Sequence, residues 1–413
     1  MATLVESATA GTVTPQMNAV ADGEGIDPAL LCRRIADGSV VIMQRGDRSV
    51  GIGSGLRTKV NVNLGTSNLS ISPGEEVKKA LIAEKFGADT LSDLSMGGDI
   101  PAIRRAIMRH TTLPITTVPI YQTAAEIGLG TMTVEEIIAT IRRQAAEGVS
   151  SMVLHCVTAG VLDLLKKRRR IMGVVSKGGS ITSVFMHRNR CENPFIDHID
   201  EIIAIFAKHD IVLSVGNTAR SGCIHDGWDR AHREEIRQNV EIARYAHQHG
   251  VQVIIEGAGG HIRFDRIAEQ VRYYKEQSAF PLFVAGPLPT DIALGYDHSA
   301  ACAGASAASA AGADYLCSIT PAEHLGLPSP EHVKEGLIAC KIAAHIGDTV
   351  KYGMDGQDRT MALRRAKFDK AGQIDGSFDS ERARRLAAED DRCTMCGDFC
   401  AILLMKRLLE PEE

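Results

Sequence analysis

A chain of 413 residues exceeds the roughly 250 at which one hydrophobic core stops growing, which calls for a large domain with appendages or for two domains. Hydrophobic content of 44% and charged content of 23% are ordinary for a soluble globular enzyme. The net charge of −5 argues against nucleic acid as the main partner, and no apolar run is long enough to cross a bilayer.

The first stretch, Met1 to Asn18, is small and polar, without a basic flank or apolar core. It reads as a flexible leader rather than a signal peptide. Within residues 1–58 a helical pattern around Asp27–Leu31 and a short apolar strand at Ser39–Met43 form a small N-terminal appendage. From Lys59 a rhythm begins of β-rich run, polar turn and helical segment. The predicted strands are Lys59–Asn63, Thr90–Leu94, Ile115–Ile120, Ser151–His155, Ile211–Val215, Val251–Glu256, Pro281–Ala285 and Asp314–Ile319. Helical patterns such as Pro73–Phe86, Val134–Glu147, Asp197–His209, Glu234–His249 and Arg266–Gln277 separate them. Ala300–Ala313, rich in small residues, reads as a close-packed helix before the last strand.

Eight alternations fit an α/β fold, a (β/α)8 TIM-type barrel over residues 59–350. A doubly wound open sheet satisfies the same alternation. The composition changes near Tyr352–Gly356, and residues 351–413 form a charged helical segment too small to bury a core alone. It is expected to dock on the barrel or on a partner subunit.

Seven of the ten cysteines are scattered, which fits reduced thiols and a cytoplasmic compartment. The other three, Cys393, Cys396 and Cys400, are spaced C-x2-C-x3-C. Thiolates this close can converge on one inorganic centre. Closed structural zinc sites take four ligands, whereas three thiolates suit a 4Fe-4S cluster whose fourth iron stays open. Zinc and a redox pair remain the alternatives at this spacing.

In a (β/α)8 barrel the reacting groups lie at the C-terminal strand ends. There the sequence offers Asn63, Ser92 with Asp93, Tyr121, His155, Asn217 with Arg220, Glu256 with His261, and Thr320 with Glu323. Ser176-Lys177-Gly178-Gly179-Ser180 combines a hydroxyl, a cation and glycines that permit close backbone approach to an anion. His261 and His298, on neighbouring strand-end loops, are a candidate pair for a divalent metal. The plainer reading makes them ordinary hydrogen-bonded histidines, of which this chain has fourteen in all.

Several motifs together resemble the phosphomethylpyrimidine synthase family of thiamine biosynthesis and its benzimidazole-forming relatives. The likeness runs from about Lys59 to Cys400. It includes Lys59-Val60-Asn61-Val62-Asn63, Val118-Pro119-Ile120-Tyr121-Gln122, the Ser176–Ser180 motif, Gly286–Ala293, Gly295-Tyr296-Asp297-His298, Thr320–Pro328 and the cysteine turn. The resemblance implies a radical S-adenosylmethionine enzyme with a 4Fe-4S cluster on Cys393, Cys396 and Cys400, acting on aminoimidazole ribotide. It implies a homodimer in which the C-terminal segment of one chain covers the other chain's barrel, and an external electron donor. Carried over position by position, Asn63, Ser92, Tyr121, His155, Ser176, Gly178, Asn217, Arg220, Glu256 and Phe283 would line the ribotide site. Glu256 and His155 are the proton-transfer candidates. His261 and His298 would hold a divalent metal, zinc by analogy.

This chain also departs from the thiamine-pathway pattern. Asn217-Thr218-Ala219-Arg220 stands where those enzymes carry Asp-Gly-Leu-Arg, and Glu256-Gly257-Ala258-Gly259-Gly260-His261 is one residue longer than Glu-Gly-Pro-Gly-His. Ser92 replaces a methionine and Phe283 a tyrosine, and the cysteine turn is one residue shorter. Changes at a substrate mouth redirect chemistry more readily than they abolish binding. They resemble the benzimidazole-forming branch, so the expected product is 5-hydroxybenzimidazole, the lower-ligand base of cobalamin in anaerobes. The alternative product is the hydroxymethylpyrimidine phosphate of thiamine. A zinc-only lyase or hydrolase and a non-catalytic nucleotide-binding regulator are the competing classes.

Overall fold

A computed structural model describes residues 2–389 and 393–409. The chain divides into two compact units, Met1–Lys351 and Tyr352–Glu413.

In the first unit, N-terminal helices Leu4–Thr9, Pro15–Glu24 and Pro28–Ala36 precede an antiparallel hairpin, β1 (Val40–Arg45) and β2 (Arg48–Gly53). Eight parallel strands then close into a barrel: β3 (Lys59–Leu64), β4 (Thr90–Asp93), β5 (Ile115–Thr117), β6 (Ser151–Leu154), β7 (Val212–Val215), β8 (Val253–Glu256), β9 (Leu282–Ala285) and β10 (Tyr315–Cys317). The order is sequential, and β10 pairs with β3 through Leu316 and Val60 to complete the ring. The (β/α)8 reading holds, and the open-sheet alternative falls with that closure.

The eight strands lie where the sequence places them, with one instructive difference at the third. Ile115–Ile120 was expected to be a single strand, but β5 stops at Thr117 and a helix runs from Pro119 to Ile127. Proline cannot donate to a sheet ladder but is favoured at the first position of a helix. Tyr121 is consequently carried on a helical first turn. The expected flexible leader is also folded, as helices Leu4–Thr9 and Pro15–Glu24 that bury Leu4, Val5, Ala8 and Met17.

Period-two alternation in β1 builds the floor of the barrel. Val40 and Ile42 face the N-terminal helices, against Met17, Leu31 and Ile35. Val41 and Met43 face the other way, against Val212, Ile254, Phe283 and Tyr315. Gln252, just before β8, fastens the hairpin by accepting from the Ile42 N–H at 2.7 Å and donating to its carbonyl at 3.1 Å. With that end plugged, the opposite C-terminal end is the accessible mouth.

The second unit contains helices Gly356–Ala366, Lys370–Asp375, Ser380–Leu386 and Ala401–Leu409, with a short 3-10 turn at Gly397–Phe399. Among the described residues no helix is long and apolar enough to cross a membrane.

Candidate active site

His155 follows β6 directly and is buried in a slot between two backbones. A Cβ on Gly178 would fall 2.4 Å from its Cε1, and one on Gly216 would fall 2.8 Å from its Cδ2. Only glycine lets both chains approach the imidazole so closely. Burial, reinforced by the nearby Arg220 charge, pushes the ring down to about 3, so the imidazole is neutral. Its Nδ1 is buried and has no protein partner, leaving a polar atom for a ligand to satisfy.

Glu256 ends β8. Its carboxylate accepts from the Ser214 hydroxyl at 3.3 Å and the Asn217 N–H at 3.4 Å. Burial raises its pKa against the opposing pull of Arg220. Tyr121 is buried and pushed up to about 12 by desolvation, with Lys177 5.1 Å above its ring. The positive charge of Arg220, whose Nη1 donates to Asn217 O at 3.4 Å, is felt by Tyr121, His155 and Glu256 alike. Ser176 caps helix Lys177–Asn189, its Oγ accepting from Gly179 N–H at 3.2 Å. The helix start therefore offers amide hydrogens and the positive end of a dipole to an anion.

Three side chains that depart from the thiamine pattern are each held by this chain's own packing. Ser92 donates to Asn61 Oδ1 at 3.0 Å, an oxygen that also accepts from Thr90 at 3.0 Å and Tyr315 at 3.3 Å. Phe283 stacks on Tyr315 with ring centroids 4.2 Å apart. Asn217 Nδ2 donates to Glu235 Oε2 at 2.7 Å, leaving its buried Oδ1 without a protein partner. Asn63 accepts from Asn61 Nδ2 at 2.9 Å. It lines a cleft of about 770 Å³ together with Lys177, Ser318, Thr320 and Glu323.

Glu235 was missed by sequence reasoning, since it sits in the second turn of an amphipathic helix, Arg230–Gln248. It also accepts the N–H groups of Thr218 at 2.7 Å and Ala219 at 2.9 Å. It thereby shapes the turn that carries Arg220. Burial pushes this carboxyl up to about 7 despite its three donors.

The histidine pairing needs correction. His261 was expected to meet His298, but its Nε2 lies 3.3 Å from Nε2 of His324. His298 sits inside the first turn of helix Asp297–Ala311, where its Nε2 faces the hydroxyl of its neighbour Ser299 at 3.3 Å. The carboxylate beside it, Asp297, does the useful work: its Oδ1 faces His324 Nδ1 at 2.9 Å, as Asp291 Oδ1 faces His261 Nδ1 at 2.7 Å. His324 was in view within the Thr320–Pro328 motif, yet its proximity to His261 had no sequence signal.

These four residues fit a divalent cation. With both Nδ1–H groups donated to carboxylates, the two Nε2 atoms present lone pairs to each other, an arrangement that calls for a cation between them. Two nitrogens on one tetrahedral zinc, each about 2.0–2.1 Å from it, stand about 3.3 Å apart. For the cluster, the turn supplies the right donors: Cys393 and Cys396 are exposed and Cys400 half-buried, and all ten cysteines are free thiols. Among the described residues no three His, Cys, Asp or Glu side chains are already gathered around one point.

Residues 3–407 match the model of the Radical SAM ThiC family. Among curated proteins, a phosphomethylpyrimidine synthase of Dehalococcoides mccartyi is 43% identical, covering 98% of each chain. One of Syntrophus aciditrophicus is 43% identical over 98% of this chain and 99% of its own, and one of Archaeoglobus fulgidus is 42% identical over 99% of both. All three relatives carry the name of the pyrimidine-forming enzyme.

Proposed function

We propose, from the premise that the chain belongs to the Radical SAM ThiC family, that it rearranges aminoimidazole ribotide by radical chemistry. The observation that carries this reading is a helix start suited to phosphate whose Gly178 packs on His155 and whose Lys177 lies over Tyr121, with the Asn217–Arg220 turn bonded to Glu256. A 4Fe-4S cluster on Cys393, Cys396 and Cys400, with S-adenosylmethionine, would supply a 5′-deoxyadenosyl radical. The amides after Ser176 and the Arg220 guanidinium hold the phosphate. His155, neutral and with an unpaired Nδ1, orients the ligand by hydrogen bonding. Glu256, its pKa raised, takes or returns protons through its carboxylate oxygens. His261 and His324 hold a divalent cation through Nε2.

The first reading of the product is the hydroxymethylpyrimidine phosphate of thiamine biosynthesis, supported by the names of relatives along the whole chain. A second, 5-hydroxybenzimidazole, is favoured by one observation: Ser92, Asn217 and Phe283 differ from the thiamine pattern and are each locked into local packing. A homodimer, an external electron donor and a cytoplasmic setting belong to either reading.

The test is anaerobic incubation of cluster-reconstituted protein with aminoimidazole ribotide, S-adenosylmethionine and a strong reductant, followed by mass spectrometry. A phosphorylated hydroxymethylpyrimidine supports the first reading, and a hydroxybenzimidazole the second. Cleavage of S-adenosylmethionine that is unaffected by the ribotide, with neither product, would overturn both.

A further inference from the structure

The turn after β8 carries His261, and its neighbours clamp it. Gly260 N–H donates to Ala285 O at 2.9 Å, His261 N–H to Ser221 O at 3.0 Å, and Leu288 N–H to Gly260 O at 2.8 Å. Within the turn Ala258 has φ +46°, although it bears a side chain and is fully buried. A left-handed alanine costs about 1–2 kcal/mol, so its surroundings must enforce it.

The enforcing group lies beneath it. Tyr274, on helix Phe264–Gln277, is buried against Gly257 so closely that a Cβ there would stand 2.1 Å from the phenol Cζ. Its hydroxyl lies against the same backbone, 2.5 Å from where a Cβ on Gly257 would stand, and meets His232 Nε2 at 3.1 Å. His232 is fully buried and burial pushes its ring down to about 4, so a neutral imidazole shares the hydrogen bond with the phenol and fixes its place. His232 is itself anchored. Its N–H donates to Asp229 at 3.0 Å, and Asp229 receives a bidentate grip from Arg170 at 2.8 and 2.9 Å.

We propose that Tyr274, braced by His232, is a positioning residue that holds Ala258 in its left-handed conformation and thereby aims His261 Nε2 at His324 Nε2. This rests on the reading that His261 and His324 hold a divalent cation. No residue of the brace touches the cation, so its effect is on geometry alone.

The experiment measures Zn²⁺ and Co²⁺ affinity of the full-length protein by chelator competition, with the visible spectrum of bound Co²⁺ as a geometric readout. Tyr274→Phe keeps the ring and removes the hydroxyl. It is expected to weaken metal binding by about 10- to 100-fold, as loss of an outer partner does, and to change the Co²⁺ bands. Adding Ala258→Gly should restore affinity in part, because glycine adopts positive φ unaided. A Tyr274→Phe protein that is less stable but binds metal like the parent would overturn the proposal, as would failure of Ala258→Gly to restore any affinity. His232→Leu removes the phenol's hydrogen-bond partner while leaving the phenol in place. It should weaken binding several-fold, and unchanged binding overturns the brace even if Tyr274→Phe cannot be purified. If the parent binds no divalent metal, or His261→Ala binds it undiminished, the metal reading itself has failed, and that outcome removes the proposal's premise.

Discussion

The Nε2 atoms of His261 and His324 stand 3.3 Å apart while the opposite nitrogen of each ring faces a carboxylate, Asp291 for one and Asp297 for the other. A pair so oriented should hold a cation, and His298 should be dispensable to it. His324→Ala is expected to lower zinc affinity at least about 100-fold, since a ligand is lost, and His298→Ala to leave it within a few-fold. Isothermal titration with zinc checks both, and the reverse order of effects would restore the sequence-based pairing.

The three terminal cysteines belong to a segment that forms a unit separate from Met1–Lys351. Cys396→Ala should therefore abolish reconstituted iron and acid-labile sulfide while leaving the main thermal transition within a few degrees of the parent. Retained S-adenosylmethionine cleavage in that variant would refute the cluster assignment.

The slot around His155 has no room for a methyl group. Gly178→Ala would drive a Cβ to 2.4 Å from the imidazole Cε1, and overpacking of this kind costs about 1–3 kcal/mol. We expect the cost to appear both as lower stability and as loss of ribotide binding. Calorimetry and ligand titration that leave both unchanged would show that the slot widens freely.

Glu235 should make stability depend on pH in an unusual direction. Its folded pKa, about 7, lies above the ordinary 4.5, so the folded state holds a proton that the unfolded state has released. This group's contribution is greatest below pH 4.5 and is lost as pH rises through about 7, a change on the order of 3 kcal/mol. Glu235→Gln removes the titration, and one donor then faces donors, so the variant is less stable overall but flatter between pH 5 and 8. Denaturation curves with parallel pH slopes for the two proteins would contradict the assignment.

The barrel was legible because its signals are local. Short β-rich runs bounded by polar turns recur eight times, and a sequential parallel sheet needs little else to be recognised. The residues at strand ends, among them His155, Asn217 and Glu256, were legible for the same reason: strand polarity alone carries them to the mouth. The helix beginning at Pro119 was misread because apolar β-branched residues and proline at a helix start look alike over six positions.

What the sequence determined by itself was the sequential barrel, the chemical types at its mouth, and the cysteine triad. Each depends on spacing along the chain. Tertiary structure decided which groups meet across it: His261 with His324, Asn217 with Glu235, and Tyr274 with the turn at Ala258. These contacts join residues 16 to 63 positions apart through the closure of the barrel and the packing of its helices. No period in the sequence encodes such distances, because a side chain's partner is set by where two loops end in space.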